Sequence, residues 1–255
     1  MILSSVRKYS TFVLILFSTI YAFANQELHL KKMIWPFDGF FGKVDKQSAQ
    51  RGFQVYKEVC QVCHGLSHLS YRNLMDLGFS EAEVKEIAKN YSVVDGPNDD
   101  GEMFERKALP SDKFVSPYKN EKAARASNNG AYPPDLSLII KARHDGANYV
   151  YSLLIGYEEA PSDFKLMPGL NYNKYFQGYQ IAMPAPLSDS QVTYQDGTKA
   201  SVEQMSYDVV NFLQFAAEPE MEKRKAMGTK VIIYLVIFTL LFYFSKKRIW
   251  SDLEQ

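Results

Sequence analysis

The chain has 255 residues, 46% of them hydrophobic, with 29 basic and 29 acidic side chains, enough for one or two domains with a sizeable core. The neutrality hides a partition: residues 25–225 hold 23 basic and 27 acidic residues, a mildly acidic body that argues against nucleic acid as a partner. Only two cysteines occur, Cys60 and Cys63, so a disulfide framework is excluded once a single motif uses both.

The N-terminus reads as a secretory signal over residues 1–24. Arg7 and Lys8 give the positive start, Phe12 to Ile20 the short apolar run, and Ala22-Phe23-Ala24 the small-x-small cleavage site. The alternative is a retained anchor, against which the run is short. Asn25 to Lys43 is an arm without regular structure. Its aromatic content, in Trp35-Pro36-Phe37-Asp38-Gly39-Phe40-Phe41, implies that it packs on the body. Asp45 is placed to cap a helix running through Cys60, with Ala49, Phe53, Tyr56 and Cys60 on one face.

That helix leads into Cys60-Gln61-Val62-Cys63-His64, the attachment pattern of a c-type haem. On one helical turn the two thiols face the same way, to meet the two vinyl groups of a porphyrin, and the adjacent imidazole becomes the proximal iron ligand. A zinc site would need a second ligand pair, which two cysteines and four histidines do not supply. A redox dithiol would need a βαβ context, which the pattern lacks. Covalent haem attachment in bacteria takes place outside the cytoplasmic membrane, in keeping with the signal.

Beyond His64, a short helix near Ser80–Asn90 is expected, with Ser80 and Glu83 as a capping box. Val94 to Asn129 reads as a polar, loop-rich stretch bearing an acidic cluster of Asp95, Asp99, Asp100, Glu102 and Glu105, either a solvated loop or a docking surface. Pro133-Pro134-Asp135 starts a helix over Leu136–Arg143, and a second covers Ala147–Ile155. Tyr157 to Pro186 is a long Pro- and Gly-bearing loop. Ser201 and Gln204 form a capping box for a helix with Met205, Val209 and Phe212 on one stripe. Glu218-Pro219 ends it. Val231 to Phe244 is apolar apart from Thr239, and reaches spanning length when extended over residues 226–245 with Lys230 snorkelling. Lys246-Lys247-Arg248 places the tail, residues 246–255, inside.

The distal iron ligand separates two functions. An open sixth position binds small molecules or peroxide; closure by methionine leaves electron transfer at a raised potential. His68 lies too close in sequence to His64 to reach the opposite face of the same iron. Met183, in Ile181-Ala182-Met183-Pro184-Ala185-Pro186, is the leading candidate because the prolines stiffen its strap; Met167, His29 and His144 stay open.

The chain resembles the cytochrome c1 family across essentially its whole mature length. The resemblance is carried by Phe37-Asp38-Gly39-Phe40-Phe41-Gly42, by Arg51-Gly52-Phe53-Gln54-Val55-Tyr56 leading to the Cys60–His64 motif, and by Tyr71-Arg72. It continues through Arg125 to Ser137, Lys141-Ala142-Arg143-His144, Ile181-Ala182-Met183-Pro184 and the single C-terminal anchor. It implies a mainly α fold: a class I c-type cytochrome-like haem domain with long loops over residues 25–225, plus one C-terminal transmembrane helix. It also implies one haem c held by Cys60 and Cys63, with His64 and Met183 as axial ligands and Arg125 pairing with a haem propionate. By the same resemblance, the partners are cytochrome b and the Rieske iron–sulfur protein in a dimeric bc1 complex at the bacterial inner membrane. The haem domain then lies in the periplasm, and a cytochrome c is the electron acceptor. The competing expectation is a membrane-anchored haem sensor or peroxidase with an open distal site.

Overall fold

The computed structural model describes residues 28–251; the expected signal over residues 1–24 lies outside them. The body is mainly helical. Helix α1 (Lys46–Glu58) starts where Asp45 accepts the Ser48 N–H at 3.1 Å, satisfying an orphan donor of its first turn. It stops short of Cys60, and a 3₁₀ turn covers Cys60–Val62. A 3₁₀ segment (Tyr71–Leu77) precedes α2 (Glu81–Lys89), whose Ser80–Glu83 capping box is reciprocal. Then follow the antiparallel hairpin β1 (Ser92–Asp95)–β2 (Phe104–Lys107) and α3 (Glu121–Ser127). Helices α4 (Ile139–Ala142) and α5 (Gly146–Ile155), the two-residue strands β3 (Asn171–Tyr172) and β4 (Gln180–Ile181), α6 (Val202–Ala217) and α7 (Met221–Trp250) complete the order.

The core is built on α1 packed against α6. Phe53, Val55 and Tyr56 of α1 meet Met205, Val209, Phe212 and Leu213 of α6, all buried. Gly52 allows the approach: a Cβ there would lie 2.0 Å from the Asp208 carbonyl oxygen, so any larger residue forces the helices apart. One turn along, fully buried Asp208 accepts from the Ser48 hydroxyl at 2.7 Å, from Gln204 at 3.1 Å, and from Arg51 in a fork at 2.9 and 3.0 Å. Burial works against the charge on Arg51, yet Asp208 and Asp196 more than offset it and hold the guanidinium protonated.

The arm packs through Trp35 and Phe37, while Phe40 and Phe41 stay exposed. Trp35 is buried, stacked between Phe37 and Tyr207 at 5.4 and 5.1 Å, and its indole N–H donates to Asn148 on α5 at 2.9 Å.

Three local expectations need correction. The stretch from Val94 to Asn129, expected as loop-rich, also contains the second half of β1, all of β2 and α3. Ser201 caps α6, but Gln204 does not complete a box, because its amide turns to Asp208 instead. The helix expected over Leu136–Arg143 shrinks to Ile139–Ala142, because Asp135 accepts the Ser67 and Ser137 N–H groups, each at 2.8 Å, and holds a turn there.

Candidate haem-binding site

The Cys60–His64 motif sits where α1 tightens into its 3₁₀ turn, with the Cys63 and His64 N–H groups both donating to the Cys60 carbonyl at 3.1 and 2.9 Å. Both cysteines are free and half-buried, and Val62 between them is 65% exposed. Behind the motif, the buried Tyr56 hydroxyl donates to the His64 carbonyl at 3.1 Å, and Tyr91 donates to the Gln61 side chain at 2.7 Å. Desolvation of its sulfur, with Cys63 beside it, pushes the Cys60 thiol up to about 12. It is therefore a neutral thiol, unlike the low-pKa thiolate of a redox dithiol. Among the described residues no cluster of three or more His, Cys, Asp or Glu could hold a metal ion.

His64 carries the most informative contact. Its Nδ1 lies 2.8 Å from the Pro134 carbonyl oxygen. A carbonyl can only accept, so the proton is on Nδ1 and the Nε2 lone pair is free. Burial lowers the imidazole's pKa, against the opposing pull of Pro134 and Asp135, and keeps the ring neutral. A second strand of chain is therefore zipped to the motif: Leu136 N–H to the Gly65 carbonyl at 2.9 Å, Ser67 N–H to Asp135 at 2.8 Å, and His68 N–H to the Ser137 hydroxyl at 3.1 Å. His68 itself is exposed, with Asp135 4.0 Å from its ring nitrogen, in line with a structural reading.

Met183 belongs to another part of the fold. It follows β4 directly, and Tyr172 pairs with Gln180 and Asn171 with Ile181 across the small hairpin. Buried Asn173 ties this hairpin to the end of α5 through the Leu153 carbonyl at 2.8 Å. Tyr157 then donates its hydroxyl to the Met183 carbonyl at 3.1 Å. Met183 is half-buried, whereas Met167 is 56% exposed and His29 and His144 are exposed. Met205 and Met221 are spent in the core.

Arg125, on α3, pairs with Glu121 at 2.7–2.8 Å, donates to the Gly130 carbonyl at 2.9 Å and lies 5.6 Å from the Tyr132 ring centroid. It is about half-exposed. The fold thus joins Cys60, Cys63, His64 and Pro134 in one hydrogen-bonded unit, while Met183 sits on a loop tied to other elements and Arg125 on the separate helix α3. Pro134 and Tyr157 were not expected as participants. Pro134 acts through its main chain, and a tyrosine in a long loop carries no distinguishing signal.

The residues present fit a c-type haem. Two free thiols three apart supply the attachment chemistry, and the next residue offers an imidazole of the ligating tautomer, oriented from behind as metal-bound histidines are.

Comparison with known proteins agrees with this chemistry. The family model described as the Cytochrome C1 family matches residues 35–253. A cytochrome b/c1 of Bradyrhizobium diazoefficiens is 50% identical over 240 residues, 86% of this chain but 35% of that protein, so the chain spans about a third of that relative's length. Cytochrome c1 1, a mitochondrial heme protein of Arabidopsis thaliana, is 49% identical over 94% of this chain and 79% of its own. Cytochrome c1 of Rhodospirillum rubrum is 44% identical over 88% and 89%.

Proposed function

The chain belongs to the cytochrome c1 family, and from that premise we propose that it is the haem subunit of a quinol–cytochrome c reductase, the bc1 complex. It takes one electron from the Rieske iron–sulfur protein and hands one electron to a cytochrome c. Its companions in the membrane are the Rieske protein and cytochrome b, in a dimeric assembly. The observation that carries this reading is the His64 Nδ1–Pro134 carbonyl contact beside the Cys60 and Cys63 thiols, an arrangement suited to a proximal ligand.

A bound haem c supplies a reversible one-electron couple; the chain's residues hold it and set its environment. Cys60 and Cys63 would carry the thioether bonds. His64 presents Nε2 as the proximal donor, and the Pro134 carbonyl fixes both its tautomer and its ring plane. Met183 would supply a second ligand to the iron; a thioether ligand would favour the reduced state and shut out small molecules. Tyr157 and the prolines after Met183 restrain the strap that bears the sulfur. Arg125 keeps donor capacity beyond its contacts with Glu121 and Gly130, and a guanidinium fork suits a propionate carboxylate.

Helix α7 is, among the described residues, the one helix long and apolar enough to cross a membrane, and its apolar window is wholly unburied. We read residues 226–245 as the span and residues 246–255 as a cytoplasmic tail, with the haem domain, residues 25–225, in the periplasm of a bacterium and residues 1–24 removed on export.

The test is the optical spectrum of the wild type and of Met183→Leu, with and without carbon monoxide. Electron transfer with a closed iron predicts a ferric sulfur-to-iron charge-transfer band and no carbon monoxide binding in the wild type. Met183→Leu should lose the band, bind carbon monoxide and lose quinol-driven cytochrome c reduction. A wild type that binds carbon monoxide readily would favour the open-site sensor or peroxidase.

A further inference from the structure

The apolar run of α7 is too short for the bilayer. Val231–Phe244 is 14 residues, about 21 Å of helix against a hydrocarbon core of roughly 30 Å. The span therefore has to begin near Ala226, which puts the outer membrane boundary one residue beyond Lys225. The Lys225 ammonium is occupied: it donates to the carbonyls of Phe37, Gly39 and Gly42 at 2.8, 2.8 and 3.0 Å. One turn earlier, Glu222 accepts the Val44 N–H at 3.1 Å. The arm's Trp35–Lys43 loop is thus clasped to the foot of α7 at the level where the bilayer starts.

The loop sorts its aromatics. Trp35 and Phe37 are buried, while Phe40 is 49% and Phe41 79% exposed, their rings 5.0 Å apart edge to face. The loop is stiff as well as apolar: Trp35 N–H donates to Asp38 at 3.0 Å, Lys43 N–H to the Pro36 carbonyl at 2.9 Å, and Gly39 turns the chain at φ +70. Two exposed phenylalanines on a rigid loop have no use in water, whereas the interfacial layer favours aromatic rings.

We propose that Phe40 and Phe41 enter the headgroup–acyl boundary beside α7, a second membrane contact that fixes the height and tilt of the haem domain over the bilayer. The proposal rests on α7 crossing the membrane and goes beyond it.

The experiment places a nitroxide at Phe41→Cys, and separately at Phe40→Cys, in the haem-loaded complex in phosphatidylcholine nanodiscs. Collision rates with oxygen and with a water-soluble nickel chelate are then compared. Leu241→Cys, inside the span, and Asn98→Cys, in the exposed β1–β2 turn, serve as references. The expected result is oxygen collisions exceeding nickel collisions at 40 and 41, approaching the pattern at 241. Nickel exceeding oxygen, as at 98, overturns the proposal, and so does loss of both collisions, which would place the pair inside another subunit. If the label at 241 is itself nickel-accessible, the anchor reading fails first; lipid at 241 with water at 41 defeats this proposal alone.

Discussion

Along α1 and α6 the inward side chains are close-packed and the one buried carboxylate accepts four hydrogen bonds from side chains. The segments bearing Cys63, His64 and Met183 are instead half-buried, and their positions are set by main-chain carbonyls and short turns. The helix pair supplies rigidity by filling space. The segments bearing Cys63, His64 and Met183 supply position without filling space. Stability and ligand geometry are thereby lodged in different residues, and the two should respond separately to substitution.

The largest separation is expected from Asp208→Ala. It removes both arms of the Arg51 fork and leaves the guanidinium only Asp196 at 2.9 Å, in a site where the side chain is 16% exposed, and breaking a buried pair from one side costs about 3–5 kcal/mol. Chemical denaturation should show that loss while the spectrum of the folded fraction keeps its ligand bands. A shifted ligand spectrum in the folded fraction would break the division of labour.

Tyr157→Phe should do the reverse. Removing the hydroxyl that holds the Met183 carbonyl loosens the strap by about 1 kcal/mol, so imidazole added to the ferric protein should displace the methionine roughly fivefold more readily. The denaturation midpoint should barely move. Unchanged imidazole affinity would mean that the prolines alone hold the strap.

A smaller effect is expected at the β1–β2 turn. Asp95 is engaged by Arg106 and Glu158 by Lys174, whereas Asp99, Asp100 and Glu102 are exposed. Asp99→Asn, Asp100→Asn and Glu102→Gln together should slow association with a basic cytochrome c a few-fold at low salt and flatten the salt dependence. Equal rates and slopes would return this turn to a merely solvated loop.

The smallest is a pH effect. The Thr198 N–H and hydroxyl, then Arg51, lower Asp196 to about 2. A depressed carboxylate contributes stability that is present above its unfolded pKa of about 4 and is lost as pH falls through the folded value. Asp196→Asn should therefore melt slightly below the wild type at neutral pH and converge with it near pH 2. A gap that persists in acid would assign the loss to packing.

Much of the helical scaffold was legible because caps are side-chain chemistry: Asp45, Ser80 with Glu83, and Ser201 announce α1, α2 and α6 at the positions where those helices begin. The stripe Met205, Val209, Phe212 was legible for the same reason, since burial follows helical period. The hairpins were not. Ser92–Asp95 and Phe104–Lys107 carry charges on exposed faces and bury no alternating apolar set, and β3 and β4 are two residues each. The haem motif declared itself by residue type, but the Pro134 contact did not, because the donor's partner is a carbonyl that every residue owns. The choice among Met183, Met167 and the histidines needed more than spacing for a related reason: the restraint on Met183 comes from Tyr157, 26 residues away.

The Pro134 carbonyl has one further consequence. How strongly the Nδ1 proton is held governs how much electron density the imidazole can give up through Nε2. At this site the accepting atom is part of the main chain, so no single substitution can delete it; a change at residue 134 alters the side chain and leaves the oxygen. The donor strength of His64 is thus shielded from ordinary point mutation. It can be retuned only by moving the backbone between Tyr132 and Leu136, which the contacts of Asp135 and Leu136 hold against the motif.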